Sequence, residues 1–221
     1  MLRLMIGNKA YSSWSLRGWL ALRHAGVAFE EIVVPLRQPD TKARILEFSP
    51  SGQVPCLHDG AIAVWDSLAL VEWAAERAPA GRMWPSDAQA RAVARSVSAE
   101  MHSGFAPLRK AMGMNVRKQL IGKGWPDDPA QRALVEANIE RIQDLWTVCR
   151  TDYGAGGPFL FGQFSGADCM YAPVVTRFWT YGVKLNPAAT VYVQAMMDHP
   201  LMREWIDAAH QEPWVVPDLE L

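Results

Sequence analysis

The sequence predicts an α/β domain followed by an all-α domain. Three observations predict this. Up to about residue 79, strand-like and helical runs alternate and close on a hairpin signal. Residues 80–87, A-G-R-M-W-P-S-D, read as a linker by composition. From residue 88 to 221 the apolar spacings are helical, and no run alternates as a strand does.

The elements follow in order. Leu2 to Ile6 alternates weakly and reads as a strand, and Gly7 to Tyr11 as a loop. Ser12-Ser13-Trp14-Ser15 opens a helix carrying Leu16, Trp19, Leu20 and Leu22, with Gly26 as its stop. Val27 to Val34 reads as a second strand, and Asp40 caps a short helix to about Phe48. Ser49-Pro50-Ser51-Gly52 is a turn. Val54-Pro55 opens a third strand, because proline lacks the N–H that a strand interior needs. Asp59-Gly60 between two apolar runs marks a hairpin. Asp66 then caps a helix carrying Leu68, Leu70, Val71, Trp73 and Ala74. A β-α-β unit, a hairpin and a closing helix predict a thioredoxin-like domain with a mixed four-stranded sheet.

In the second domain, Ala88 to about Met114 reads as one long helix kinked at Pro107. Pro129 to Arg150 is a helix with Leu134, Ile139, Ile142, Leu145 and Trp146 on one side. Ser165-x-x-Asp168 before an apolar run is a capping box, which gives Asp168 a structural role. A further helix is expected from Met197 to Ala209.

Composition narrows the function. The chain has 221 residues, 50% hydrophobic and 20% charged, with a net charge of −1. Near-neutrality argues against nucleic acid or an anionic membrane as partner. No apolar run approaches the roughly 20 residues needed to span a bilayer, and the N-terminus turns polar too early for a signal peptide. Cys56, Cys149 and Cys169 lie far apart, a sparse set that fits a reducing cytoplasm. Neither they nor the five histidines have metal-ligand spacing.

Two features of the stretch from Phe48 to Trp73 suggest binding. A strand that begins at Pro55 leaves the backbone polar groups of Val54 free. Asp66-Ser67 stands at a helix N-terminus, where N–H groups favour an anion and the carboxylate takes a cation. An ammonium and a carboxylate on one carbon would suit that pair. Equally, Asp66 serves as a cap and Pro55 as a turn residue in any fold.

S-P-S-G-Q-V-P followed by D-S and an apolar helix resembles the glutathione site of cytosolic glutathione transferases. The resemblance runs through the whole chain and includes the Ser165-x-x-Asp168 box after the Gly-rich loop. It implies that the Val54–Pro55 bond is cis and that the Val54 backbone pairs with the cysteinyl unit of glutathione. It implies that Asp66 and Ser67 hold the γ-glutamyl end. Lys42 or Arg37 is the candidate for the glycyl carboxylate. The family further implies a cytoplasmic homodimer.

Such an enzyme must stabilise the thiolate of glutathione, because a free thiol has a pKa near about 8.5. The donor belongs at the end of the first strand or the start of the first helix. S-S-W-S-L-R resembles the S-S-C-S-W-R segment of zeta-class members, whose first Ser is the donor. That makes Ser12 the catalytic candidate, with Ser13 second and Tyr11 third; at least one of the serines also serves as helix N-cap. Trp14 replaces the zeta cysteine, which weakens an isomerase assignment, and Cys56 is expected to pack in its strand. Trp14, Phe105 and Met112 are expected to line the electrophile pocket, with Trp125, Trp179 and Tyr181 as further candidates. Arg17 and Arg109 are candidates to steer an acidic substrate, whereas Arg177 is three residues out of register with the zeta carboxylate-binding arginine.

The expected activity is conjugation of glutathione to a small electrophile, or reduction of a peroxide. The alternatives are a non-catalytic binding protein on the same fold and a glutathione-dependent isomerase.

Overall fold

The computed structural model describes residues 1–220. The N-terminal unit contains β1 (Arg3–Gly7), α1 (Ser13–His24), β2 (Glu30–Val34), α2 (Thr41–Leu46), β3 (Cys56–Asp59), β4 (Ile62–Val64) and α3 (Ser67–Ala75). The four strands form one sheet in the order β2-β1-β3-β4. β1 runs parallel to β2, with Met5 opposite Ile32, and antiparallel to β3, with Met5 opposite Cys56. This is the thioredoxin-like arrangement expected from the element order.

Alternation along β1 sorts the core. Leu4 and Ile6 face the main core with Leu16, Leu20, Leu70 and Val71 of α1 and α3. Met5 faces the other way, with Val34, Cys56 and Ile45 of α2. Cys56 is fully buried, and burial pushes its thiol pKa up, so it packs as a small apolar residue.

The remainder is helical: α4 (Ala88–Ser103), α5 (Ala106–Ala111), α6 (Pro129–Tyr153), α7 (Gly166–Tyr181), α8 (Pro187–Asp198) and α9 (Pro200–Gln211), with a 3₁₀ turn at Pro217–Leu219. Three expectations are corrected here. The helix from Ala88 does not kink at Pro107; it stops at Ser103 and restarts as α5. Pro107 sits in the first turn of the new helix, where no N–H is needed. Leu134 is 48% exposed rather than part of the buried face of α6. The helix expected from Met197 is two helices, with His199 as the cap at which one ends and the next begins.

α7 joins the two halves and is buried along almost its whole length. Its capping box forms. The Asp168 carboxylate accepts from the Ser165 N–H and hydroxyl, each at 2.8 Å, and from the Leu160 N–H at 3.2 Å. Burial pushes the Asp168 pKa up to about 6, and these hydrogen bonds oppose the shift. Gly166 lets the helix start against α3, since a Cβ there would meet Val71 at 2.9 Å. Among the described residues no helix is long and apolar enough to cross a membrane, and no three metal-ligating side chains come together.

Candidate active site

A cleft of about 290 Å³ lies between the sheet unit and the helices. One wall is Ser51, Gln53, Val54, Pro55, Trp65, Asp66 and Ser67; Trp14, His102 and Arg109 form the other.

The first wall owes its shape to backbone features. The Val54–Pro55 bond is cis, as is Trp65–Asp66. Asp66 caps α3, its Oδ1 accepting from the N–H of Leu68 at 2.9 Å and of Ala69 at 3.4 Å. Its Oδ2 lies 3.0 Å from Nε2 of His102. Ser67 is fully buried, and its hydroxyl has no hydrogen-bond partner. An orphaned hydroxyl in a cleft wall is a ready donor for a bound anion.

The second wall comes from α1, α4 and α5. The Trp14 ring meets the His102 ring edge-on at 5.4 Å between centroids. The Arg109 guanidinium lies 5.4 Å from the Trp14 centroid, and its Nε donates to the Gly104 carbonyl at 3.1 Å. Partial burial holds the Arg109 pKa below its ordinary value. Behind Trp14, the guanidinium of Arg17 lies 4.2 Å from the indole centroid. This wall therefore concentrates positive charge around one aromatic ring.

Of the residues singled out from sequence, Val54, Pro55, Asp66, Ser67 and Trp14 meet in the cleft together with Arg109. Ser12 is the N-cap of α1. Its hydroxyl donates to Ser15 Oγ at 2.7 Å and accepts from the Ser15 N–H at 3.4 Å. Ser13 is the first residue of that helix and is nine-tenths buried. Ser13 directly precedes Trp14 in the chain, and neither serine lines the cleft. Tyr11 faces away: its hydroxyl donates to Glu220 and accepts from Arg117, both at 2.5 Å, in a lock that holds the C-terminal tail. Lys42 Nζ donates to the Gly52 carbonyl at 3.0 Å and so supports the turn that precedes the cleft.

Phe105 and Met112 belong to the hydrophobic core instead of the pocket. Phe105 has φ 57° at the break between α4 and α5 and is buried. Trp125 lines a different groove, Trp179 is 43% exposed, and Tyr181 is buried with its hydroxyl on the Gly113 carbonyl. Arg177 is buried, donating to the Met112 and Pro173 carbonyls. His102 is a site residue that the sequence does not mark. It reaches Asp66 only through the packing of α4 on α3, and no local motif signals it.

Known proteins place this architecture. The glutathione S-transferase N-terminal domain matches residues 11–77, and the C-terminal domain of the same family matches residues 88–208. The chain belongs to the glutathione S-transferase family. It is 30% identical to the maleylacetoacetate isomerase of Rattus norvegicus over 182 residues, covering 81% of this chain and 79% of that protein. It is 27% identical to a maleylpyruvate isomerase of Ralstonia sp. over 207 residues, 91% of each chain. In fold it resembles a glutathione transferase homologue from Burkholderia solved with bound glutathione, at a TM-score of 0.71 and 20% identity, covering 96% of this chain and 99% of that one.

Proposed function

We propose that this transferase-family enzyme activates the thiol of glutathione and adds it to a small electrophile. One observation carries the reading: a single cleft unites the Val54 backbone, the Asp66 carboxylate and the orphaned Ser67 hydroxyl with a cationic, aromatic opposite wall. In this reading Val54 pairs with the cysteinyl unit. Asp66 takes the γ-glutamyl ammonium, and Ser67 donates to the neighbouring carboxylate. The thiol then points to the first turn of α1, whose N–H groups and dipole favour a thiolate. Lys42 serves the glycyl end by holding the turn at Gly52.

We assign the thiolate donor to Ser13 in preference to Ser12. To serve a thiolate, Ser12 must surrender its bonds to Ser15 and uncap the helix. Ser13 caps nothing.

Addition of the thiolate to an electrophilic carbon is the shared first step of conjugation and of double-bond isomerisation. In conjugation the adduct leaves; in isomerisation the C–S bond breaks again after rotation about the former double bond. The maleylacetoacetate and maleylpyruvate isomerases among the relatives favour the second outcome as strongly as the first. Trp14 in place of the zeta cysteine weighs against it only if that cysteine is needed for release.

The test is a pH titration of thiolate absorbance for glutathione bound to the native protein and to Ser12→Ala and Ser13→Ala. A thiol pKa lowered by a unit or more, about 1.4 kcal/mol of thiolate stabilisation, and restored in Ser13→Ala, is the expected result. Binding without a pKa change would leave a glutathione-binding protein and remove the catalytic assignment.

A further inference from the structure

Arg17 is completely buried, yet both of its terminal nitrogens, Nη1 and Nη2, lack a hydrogen-bond partner. Only Nε is satisfied, by the Met170 carbonyl at 2.8 Å, which fixes the plane of the fork against α7. A guanidinium stays protonated in proteins, so this is a buried charge with its two outward donors idle. Its surroundings worsen the imbalance. Burial lowers the Arg17 pKa most, and the nearby charges of Arg177 and Arg109 lower it further. Asp66 is the carboxylate that opposes them, and it is already committed to the α3 N-terminus and to His102. An uncompensated buried cation costs several kcal/mol and persists where something else recovers the loss. Part of that compensation is the face of Trp14, 4.2 Å from the Arg17 guanidinium carbon.

We propose that Arg17 is the anchor for a carboxylate of the second substrate, and that Trp14 is its movable cover. This deepens the glutathione reading above and rests on it. Trp14 is half-buried and borders the cleft, so rotation of its indole opens the Arg17 fork to a ligand without disturbing the backbone. The planar, forked donor set matches a carboxylate in two parallel N–H···O bonds. Arg109, on the same cleft wall, draws the anion in and leaves the fork to orient it. The enzyme then selects acidic electrophiles over neutral ones of the same reactivity.

The probes are 3-benzoylacrylic acid and its methyl ester, one enone with and without the charge. In the reaction the glutathione sulfur bonds to the alkene carbon that lies β to the ketone. The π pair moves into the ketone as an enolate, and the α-carbon then takes a proton from solvent. The native enzyme is expected to favour the acid in kcat/KM. In Arg17→Met the ratio of acid to ester should fall about a hundredfold, the scale of two lost charge-assisted bonds. In Arg17→Lys, which keeps the charge and loses the fork, the fall should be partial. An acid preference that survives Arg17→Met overturns the proposal.

A second measurement uses no Arg17 variant and no glutathione chemistry. Maleate is titrated into the native protein while tryptophan fluorescence is followed, with Trp14→Phe as the difference control. A saturable change that disappears in Trp14→Phe supports the proposal; no saturable change overturns it. If neither enone is turned over while maleate still binds, the glutathione reading fails and the anion site stands.

Discussion

One wall of the cleft is written in a single stretch, Ser51 to Ser67, and the other is assembled from α1, α4 and α5. The first wall presents backbone and capping groups to the cleft: the Val54 backbone, the Asp66 carboxylate and the Ser67 hydroxyl. The second presents side chains, namely an indole, an imidazole and one guanidinium, with Arg17 buried behind the indole. The carboxylate of Asp66 reaches across to His102. Local chain geometry is enough to build a site for an invariant co-substrate. A site for a variable partner is better built from helices, whose side chains change without altering the turn proposed to bind glutathione.

If the assembled wall depends on the seating of α7, then damage to α7 should break it. Asp168→Ala is the strongest such blow. It removes the acceptor for three donors, the N–H groups of Leu160 and Ser165 and the Ser165 hydroxyl, in a fully buried place. A loss of about 3 kcal/mol or more in urea unfolding is expected. Arg17, whose Nε rests on Met170 of the same helix, should be displaced with it.

The same residue sets a pH dependence. Its pKa rises from 3.8 to about 6 on folding. Between those values the native protein binds the extra proton, so stability falls as pH rises from about 4 to about 6, by up to about 3 kcal/mol from this group. The contribution is complete at the acid end of that window and lost above it. In Asp168→Asn, urea midpoints across the window should lack this component. An unchanged slope in that variant would assign the proton to another group.

A smaller effect separates the roles of Asp66 in the first wall. Asp66→Asn keeps an N-cap of nearly equal quality and removes the charge. Glutathione binding, followed by calorimetry, should weaken at least tenfold, with little change in melting temperature. Asp66→Ala should add about 1 kcal/mol of lost stability to the same loss of affinity. Equal affinities for the Asp66→Asn variant and the native protein would mean that the ammonium is held elsewhere.

The two walls also differ in how readable they are from sequence. The Asp59-Gly60 hairpin, the Asp66 cap, the proline at the strand start and the Asp168 box are local signals, and each stands where its chemistry predicts. The cleft residues they carry are legible for that reason. His102 is not, because nothing within its own helix distinguishes it from a solvated histidine; its partner lies at the start of α3. Phe105 and Met112 fail as pocket residues for the opposite reason. An apolar side chain on an inward helix face serves core and pocket equally in sequence, and the break at Gly104 reads as a continuous helix. α8 escapes a sequence reading because Asn186-Pro187 looks like loop punctuation, whereas here Asn186 is the cap and Pro187 the first helical residue.

The smallest expected effect tests the division of labour inside the first turn of α1. Ser12 donates to Ser15 Oγ, and Ser15 Oγ in turn accepts the N–H of Gly7 at 2.9 Å. The chain of bonds therefore ties the helix cap to the end of β1. Ser12→Ala should cost about 1 kcal/mol, the usual value of a serine cap, and lower the melting temperature by a few degrees. It should leave the pKa of bound glutathione nearly as low as in the native protein. Ser13→Ala should do the reverse, with an unchanged melting temperature and a raised thiol pKa. If Ser12→Ala alone raises the thiol pKa, the cap and the donor are one hydroxyl. Ser12 must then rotate away from Ser15 when glutathione binds, and the first turn of α1 would belong to the mobile, side-chain half of the cleft.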